Sequence, residues 1–293
     1  MTTAPVPAWG DAADLVDMLD LRPDGEGRFT SVVRGHAPQR AVVEGSQLLG
    51  QAIVAGGRLR PGRRVVSAHM VFFRVADATV PLHFDVHELS RGRTFTTLRV
   101  DVSQQDRSCA TGTVLLDRTA PDLVRHAAPA PVVPGPNVAA PLDMGVTGRH
   151  VHVVDGAYTG DPDAPAGPPV LDAWVRFDRV PAEPCLHAAL LAQFTGHMAI
   201  AAALRPHVGI GQDLAHRTVS TAINAIGISF HAAVRVDRWM LYHHLSTFAG
   251  DGMTHAECRV HDEEGAILAS FTVDAMVRGF TGDRPPVEEE RAL

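Results

Sequence analysis

The feature that most constrains this chain is an internal repeat. Five residues of the first half recur in the second half at one constant offset of 160 positions (77 to 237). The pairs are Asp77 with Asp237, Gly92 with Gly252, Thr94 with Thr254, Arg99 with Arg259, and Val100 with Val260. Two copies are too few for a solenoid or a propeller, because those architectures stack several repeats. The repeat therefore predicts two similar units that pack as a pseudo-symmetric pair.

Each copy has the same order of predicted elements, namely a strand, an apolar helix and an antiparallel meander. The first apolar helix covers about residues 45–56 and the second covers residues 186–204, and four strand-like runs follow each helix. A sheet that wraps around each helix and continues from one copy to the other is an α+β fold, the double hotdog. The predicted boundaries are an N-terminal hotdog at 1–118, a Pro-, Ala- and Gly-rich linker at 119–169, a C-terminal hotdog at 170–282 and a tail at 283–293.

Composition and charge restrict the class of partner. The formal net charge is −7, which argues against nucleic acid as a partner. The three cysteines, Cys109, Cys185 and Cys258, are widely spaced and odd in number, so we predict neither a disulfide framework nor a zinc site, and we expect a cytoplasmic location. Residues 186–204 are long and apolar enough to span a membrane, but they include polar side chains, so we favour a buried core helix and expect no membrane partner.

Seven segments, in their order along the chain, carry a resemblance to a known family. They are GSQLLGQAIVA at 45–55, RRVVSAHMVFFR at 63–74, ELSRGRTFTTLRVDVSQ at 88–104, ALRPH at 203–207, FH at 230–231, RWMLY at 238–242 and GAILASFTVDAMVR at 265–278. This set resembles the type II acyl-CoA thioesterases, the TesB-like double hotdogs, over nearly the whole chain apart from the linker. The resemblance implies hydrolysis of acyl-CoA or acyl-carrier thioesters to a free acid and a thiol, with no metal or organic cofactor.

The family orients its hydrolytic water with an Asp on the second helix, a Thr on the next strand and a Gln on the last strand. Counting from the matched segments places the Asp position at Gly196 and the Gln position at Val273. The Thr position falls at Ile223, or at Thr221 after a small shift in register. Because glycine and valine cannot activate water, either other residues do so or the chain binds an acyl thioester without cutting it.

Glu44 is the acid that the sequence offers instead. It directly precedes the first apolar helix, so we predict that the working cleft has moved to the first hotdog with Glu44 as the general base. Ser67 or His69, on the strand after that helix, would position the water. Gln47 and the first N–H groups of the helix, beginning at Gly45, would polarise the thioester carbonyl. The simpler alternative is that Glu44 only caps the helix.

The second cleft offers its own candidates. By the internal symmetry, Gly45 corresponds to Gly196, and His197 directly follows Gly196. His197 is therefore a candidate replacement for the lost acid, although a lone histidine on an apolar helix is more often a core residue. We also assign to substrate binding the residues Thr94, Phe95, Thr195, Gly196, Thr221 and His231.

Other signals leave alternatives open. The GRLRPGRR turn at 57–64 holds four arginines that could bind the phosphates of CoA, or it is a solvated basic turn. The pairs His150 with His152 and His243 with His244 do not form a metal-ligand set, so we predict no metal. A hydratase or dehydratase on the same fold is a further alternative. Exposed sheet edges predict a homodimer or a higher oligomer.

Overall fold

The chain forms one continuous antiparallel sheet that wraps around two packed helices in the computed structural model. The structure describes residues 10–32, 42–159, 161, 163–211 and 219–279. The predicted tail at 283–293 lies outside the described residues. The α+β double hotdog predicted from the repeat is confirmed.

Four helices and thirteen strands make up the described part of the chain. The helices are α1 (Ala12–Leu19), α2 (Gly45–Leu59), α3 (Pro184–Phe194) and α4 (Ala199–Leu204), with a short 3₁₀ turn at Val154–Gly156. The strands of the first half are β1 (Leu21–Pro23), β2 (Arg28–Ser31), β3 (Arg64–Phe72), β4 (His83–Arg91), β5 (Phe95–Gln104) and β6 (Arg107–Asp117). The strands of the second half are β7 (Ala140–Pro141), β8 (Arg149–Val153), β9 (Val170–Phe177), β10 (Val219–Phe230), β11 (Met240–Gly250), β12 (Met253–Asp262) and β13 (Ile267–Gly279).

The order of the strands shows the two halves of the sheet. It runs β1-β2-β4-β5-β6-β3-β10-β13-β12-β11-β9-β8-β7, so that each half occupies one side. The halves meet where β3 pairs with β10, with residues 67–71 antiparallel to residues 225–229. The strands β7 and β8 lie within the segment predicted as a linker and extend the sheet beyond β9. Their register places Arg149 on a buried position of the sheet.

The two long helices pack antiparallel, and small residues let them approach closely. A Cβ atom placed on Gly50 would lie 3.0 Å from the carbonyl oxygen of Ala189, so only glycine fits at the crossing. At one end of the pair, a Cβ atom on Gly57 would lie 2.6 Å from the Cβ of Cys185. The helices therefore contact each other along their whole length, with no room for larger side chains between them.

The helix contacts obey an internal symmetry of their own. Ser46 faces Gly196, and Cys185 faces Gly57, at opposite ends of the helix pair. With an offset of 139 positions (44 to 183), Ser46 corresponds to Cys185 and Gly57 corresponds to Gly196. The same offset pairs Glu44 with Glu183, the residues that directly precede α2 and α3. A pseudo-twofold axis therefore passes near the crossing of the two helices, and it relates two ends of similar construction.

The predicted correspondence of Gly45 with Gly196 is wrong. The meanders repeat with an offset of 160 (77 to 237), whereas the helices repeat with an offset of 139 (44 to 183). The second half thus carries 21 more residues (160 less 139) between the start of its helix and its meander. With the offset of the helices, the counterpart of Gly196 is Gly57.

The apolar stretch that contains α3 and α4 is part of the core. Pro184–Leu204 is the one helical stretch in the described ranges that is long and apolar enough to cross a membrane, and 78% of its most apolar window is buried inside the fold. The stretch is not a single regular helix, because α3 ends at Phe194 and α4 begins only at Ala199. Met198, just before α4, has a positive φ of 68°, which marks the break.

Candidate active site

A cluster of polar side chains lies where α2 begins and α3 ends. Glu44 occupies the N-cap position of α2, but its side chain makes no capping hydrogen bond to that helix. Instead, the amide Nε2 of Gln193 donates to Glu44 Oε2 at 3.4 Å, and His197 Nε2 lies 3.8 Å from the same oxygen. The carboxylate of Glu44, a residue of the first hotdog, therefore contacts side chains of the second hotdog. Capping of α2 does not account for its position.

A buried arginine lies behind this cluster. Arg149 of β8 is only 6% exposed, and its Nη1 atom donates to Gln193 Oε1 at 3.5 Å. Its guanidinium carbon also lies 5.5 Å from the centre of the Phe194 ring. Burial lowers the pKa of Arg149 to about 10, while the negative charge of Glu44 acts in the opposite direction. At neutral pH the cluster thus contains a buried cation that interacts with the Glu44 carboxylate through space.

Next to Glu44, a serine occupies the space where the resemblance places an acid. A Cβ atom on Gly196 would overlap the Ser46 hydroxyl and would lie 2.8 Å from Ser46 Cβ. The next nearest atom would be Cδ1 of Ile223, at 3.4 Å. Val273 is buried on the same inner face of the sheet. The positions that correspond to the family's Asp and Gln, Gly196 and Val273, therefore carry no polar side chain, and a carboxylate at position 196 would need Ser46 to move.

The opposite end of the helix pair is closed by an ion pair. Glu183 receives two hydrogen bonds from Arg58, at 2.7 Å and 3.0 Å, and Arg58 also donates to Asp20. The hydrogen bond from Arg58 lowers the pKa of Glu183. Burial raises the pKa of the Cys185 thiol, the counterpart of Ser46, to about 11. A carboxylate whose lone pairs are engaged by a bidentate arginine is a poor base, so the Glu44 end is the chemically available one.

Comparison with known proteins gives a consistent result. The family model described as "Acyl-CoA thioesterase N-terminal domain" matches residues 32–116, and the model described as "Acyl-CoA thioesterase C-terminal domain" matches residues 121–277. The chain belongs to the acyl-CoA thioesterase family. The TesB-like resemblance seen in the sequence is therefore confirmed.

Individual members of the family are distant in sequence. Acyl-coenzyme A thioesterase 8 of Mus musculus is 24% identical over 90% of this chain and 88% of its own length. Acyl-CoA thioesterase 2 of Haemophilus influenzae is 22% identical over 80% of this chain and 87% of its own length. Among solved structures, the acyl-CoA thioesterase II TesB2 of Mycobacterium marinum superposes with a TM-score of 0.76 at 24% identity, covering 92% of this chain and 99% of that one.

Residues that were assigned to two different clefts lie together in one cluster. Glu44 and His197 were predicted to serve different clefts, but the antiparallel packing of α2 and α3 brings them together. Gly45 and Gln47 lie in the first turn of α2, and a Cβ atom on Gly45 would lie 3.0 Å from the ring of Phe72. The backbone N–H of Gln47 already donates to the carbonyl of Glu44 at 3.0 Å, so it is not available to a substrate.

Ser67 and His69 do not belong to this site. Alternate residues of β3 face opposite sides of the sheet, and Ala68 and Met70 are the ones buried against the helices. Ser67 and His69 lie on the outer face, where they line a depression of about 570 Å³ together with residues of β10, β12 and β13. The prediction that they position water beside Glu44 is therefore wrong.

Thr94 and Phe95 also lie away from Glu44. They are at the start of β5, where the Thr94 carbonyl accepts a hydrogen bond from Arg63 of the basic turn. Arg63 lies just beyond Leu59, the last residue of α2, and a helix of 15 residues is about 22 Å long. These two residues thus lie at the opposite end of α2 from Glu44. The basic turn borders a depression of about 370 Å³ lined by Arg60, Arg63, Arg91 and Arg118, and phosphate binding there stays a prediction.

The remaining candidates for substrate binding are Thr195, Thr221 and His231, which lie in different surroundings. The Thr195 hydroxyl donates to the carbonyl of Ala192 at 2.6 Å and so closes the end of α3. Thr221 is buried on the inner face of β10, two residues from Ile223, which keeps it near Gly196. His231 is within 2.9 Å of the Ser270 hydroxyl, and Ser270 lines the outer-face depression, so His231 belongs to the outer face and not to the Glu44 cluster.

Two members of the cluster were missed from the sequence. Gln193 lies inside an apolar helix, where a single polar residue gives no sign of its partner in the other hotdog. Arg149 lies in the Pro-rich segment, although the alternation of RHVHV is typical of a strand with one buried face. Among the described residues, no group of three or more His, Cys, Asp or Glu side chains is arranged to hold a metal ion.

Proposed function

We propose that this chain hydrolyses acyl-CoA thioesters to a free acid and CoA at the cluster formed by Glu44, Gln193, His197 and Arg149. Membership of the acyl-CoA thioesterase family supports the reaction. The observation that carries the site is that the Glu44 side chain does not cap its own helix, and its carboxylate lies beside Gln193 and His197. Family membership does not favour the hydratase or dehydratase alternative.

The proposed reaction uses Glu44 as the general base. Glu44 removes a proton from a water molecule while the water oxygen attacks the thioester carbonyl carbon. The carbonyl oxygen becomes an oxyanion beside the N-terminus of α2, whose first N–H groups stabilise negative charge. The tetrahedral intermediate then collapses, the C–S bond breaks, and the CoA thiolate takes the proton from Glu44. Gln193 and Arg149 hold the carboxylate in place through the chain of hydrogen bonds behind it.

The pseudo-symmetry of the chain supplies a matched control for the test. Release of free CoA would be measured with a thiol reagent across short, medium and long acyl-CoA substrates, for the wild type, Glu44→Gln and Glu183→Gln. We expect Glu44→Gln to lower kcat by about 10²- to 10⁴-fold without unfolding the chain. Glu183→Gln weakens the pair with Arg58, so it should lower the melting temperature and leave kcat within about twofold.

Each outcome of this test is decisive for the site. A Glu44→Gln variant that retains wild-type turnover would show that the base is elsewhere. A wild-type chain that releases no CoA from any substrate, yet binds acyl-CoA at equilibrium, would instead support the alternative of a catalytically silent acyl-thioester-binding protein. The apolar side chains at Ile223 and Val273 are the observation that keeps this alternative open.

We also propose a cytoplasmic location and a homodimer or higher oligomer. The three cysteines, all within the described ranges, form no disulfide, which supports a reducing compartment. Exposed sheet edges are weak support for association, because the edge strands β1 and β7 have only three and two residues. Better support comes from the exposed apolar side chains of Val71, Phe73 and Val75, which are 40%, 57% and 53% exposed. Light scattering that finds only monomer would contradict the oligomer.

A further inference from the structure

Ser46 combines complete burial with an unused hydroxyl. The residue is 0% exposed, and its Oγ atom makes no hydrogen bond with any described residue. A buried hydroxyl without a partner is unfavourable, because it loses its hydrogen bonds to water and gains none in exchange. An alanine would fill nearly the same space without this loss. The serine is therefore best explained by a partner that comes with the substrate.

The position of Ser46 identifies what that partner can be. The hydroxyl lies directly against Gly196, and the Glu44 carboxylate lies beside the next residue, His197. Gly196 and His197 are consecutive residues, so the hydroxyl and the carboxylate contact neighbouring positions of one short segment. Ser46 is also the second residue of α2, so its hydroxyl lies in the turn whose N–H groups begin this helix.

We propose that the Ser46 hydroxyl holds the hydrolytic water by accepting a hydrogen bond from one of its protons while Glu44 takes the other. This inference rests on the proposed function and assigns a further residue to the same site. The Ser46 hydroxyl keeps its own proton throughout. The water oxygen forms the new bond to the carbonyl carbon, and the proton removed by Glu44 leaves with the thiolate. Ser46 thus takes over a role that the side chain at position 196, a glycine, cannot fill.

The geometry does not favour Ser46 as a covalent nucleophile. A serine nucleophile needs a histidine nitrogen as its base, with the acid bound to the other ring nitrogen. In this site the Nε2 atom of His197 lies 3.8 Å from Glu44 and 3.5 Å from Gln193 Nε2. The other side of the ring packs near Phe194, with ring centres 5.0 Å apart. His197 is thus oriented toward the carboxylate and its amide partner, and Glu44 acts on water.

The test compares Ser46→Ala with Cys185→Ala, its counterpart at the other end of the helix pair. Both variants would be assayed for kcat, KM, pH–rate profile and melting temperature. Because positioning a water molecule contributes up to about 100-fold, we expect Ser46→Ala to lower kcat by about 10- to 100-fold with KM little changed. Its melting temperature should equal or exceed that of the wild type, and its pH–rate profile should keep its shape, since Glu44 is still present. Cys185→Ala should retain wild-type kcat.

The failure of this inference can be distinguished from the failure of the proposed function. A Ser46→Ala variant with wild-type kcat would overturn the role of Ser46 alone. A fall in kcat that only matches a fall in the folded fraction would also overturn it, because a packing defect would then explain the loss. A wild-type chain that releases no CoA would overturn both proposals together.

Discussion

Glu44 and Glu183 occupy equivalent positions, each immediately before the first residue of the buried helix of its own hotdog, but their carboxylates have different partners. Glu183 accepts two hydrogen bonds from Arg58, whereas Glu44 lies near the amide of Gln193 and the ring of His197. The helix offset makes Arg58 the counterpart of His197. The exchange of an arginine for a histidine thus distinguishes the ion-paired end of the helix pair from the end that we propose to be catalytic.

The Arg58 end should contribute stability and no catalysis. Arg58 donates to both Glu183 and Asp20, and hydrogen bonds between charged groups contribute more than neutral ones. We expect Arg58→Met to lower the free energy of unfolding by roughly 1–3 kcal/mol and to leave kcat nearly unchanged. Urea denaturation and CoA release would measure the two effects. Arg125→Met, which removes a fully exposed pair with Asp122, is the control and should change stability very little.

Ser46 and Gly196 should be coupled in stability. A Cβ atom at position 196 would lie 2.8 Å from Ser46 Cβ, so Gly196→Asp alone forces a steric overlap and buries a charge. We expect this variant to lose more than about 2 kcal/mol of unfolding free energy. Adding Ser46→Gly removes the overlapping atoms, so the double variant should recover much of the loss.

A double-mutant cycle measures this coupling. An interaction free energy above about 1 kcal/mol between positions 46 and 196 is expected for residues in direct contact. Additive losses would show that the first turn of α2 moves aside freely. That result would also mean that Ser46 is not held in a fixed position against Gly196.

The fold could be predicted from the sequence because the repeat and the alternation of apolar residues are local signals. Alternation could also have placed Ser67 and His69 correctly, since the apolar residues that alternate with them, Ala68 and Met70, must face the core. The chemistry of a serine or a histidine does not indicate which face of a strand it lies on, whereas this alternation does. Glu44 was identified because a charged residue at the mouth of an apolar helix needs a physical reason.

The composition of the site could not be derived in the same way. Contacts between α2 and α3 depend on the antiparallel packing of two segments about 140 positions apart, and no local pattern reports that register. Because the second half has extra residues between its helix and its meander, one constant offset does not relate both elements of the two repeats. Arg149 reaches the cluster from a strand inside a Pro-rich segment, so its role follows only from the completed sheet.

Position 149 should need the guanidinium group of an arginine to stay positively charged at alkaline pH. Burial holds the pKa of Arg149 at about 10, well below its ordinary range. The ordinary pKa of lysine is lower than that of arginine, so the same burial would bring the pKa of the ammonium of Arg149→Lys below that of the Arg149 guanidinium. The variant therefore loses the cation behind Gln193 at a lower pH than the wild type does. We expect its kcat to fall, as the pH rises, before that of the wild type falls.

The pH–rate profile of both forms would measure this difference. Arg176→Lys is the control, because Arg176 is a neighbouring sheet arginine whose side chain is 37% exposed and pairs with Asp178. Arg149→Lys with the wild-type profile would show that the charge of Arg149 does not influence the reaction.

Buried histidines should make the fold sensitive to mild acid. His244 is fully buried, its Nδ1 atom is hydrogen bonded to the carbonyl of Leu171 at 3.1 Å, and burial lowers its pKa to about 4. As the pH falls below the ordinary histidine value of about 6.5, the unfolded chain takes up a proton that the folded chain cannot bind. The free energy of unfolding should therefore decrease from about pH 6.5 to pH 4, by on the order of 3 kcal/mol from His244.

Urea denaturation at several pH values in this window would test the prediction, with His244→Gln as the comparison. Glutamine can still donate to the carbonyl of Leu171 but does not titrate, so the variant should be less stable at neutral pH and lose less stability on acidification. The pKa values of His187 and His261 are also lowered by burial, so part of the pH dependence should remain in the variant. If the wild type and His244→Gln lost stability with the same slope, protonation of His244 would not be the cause.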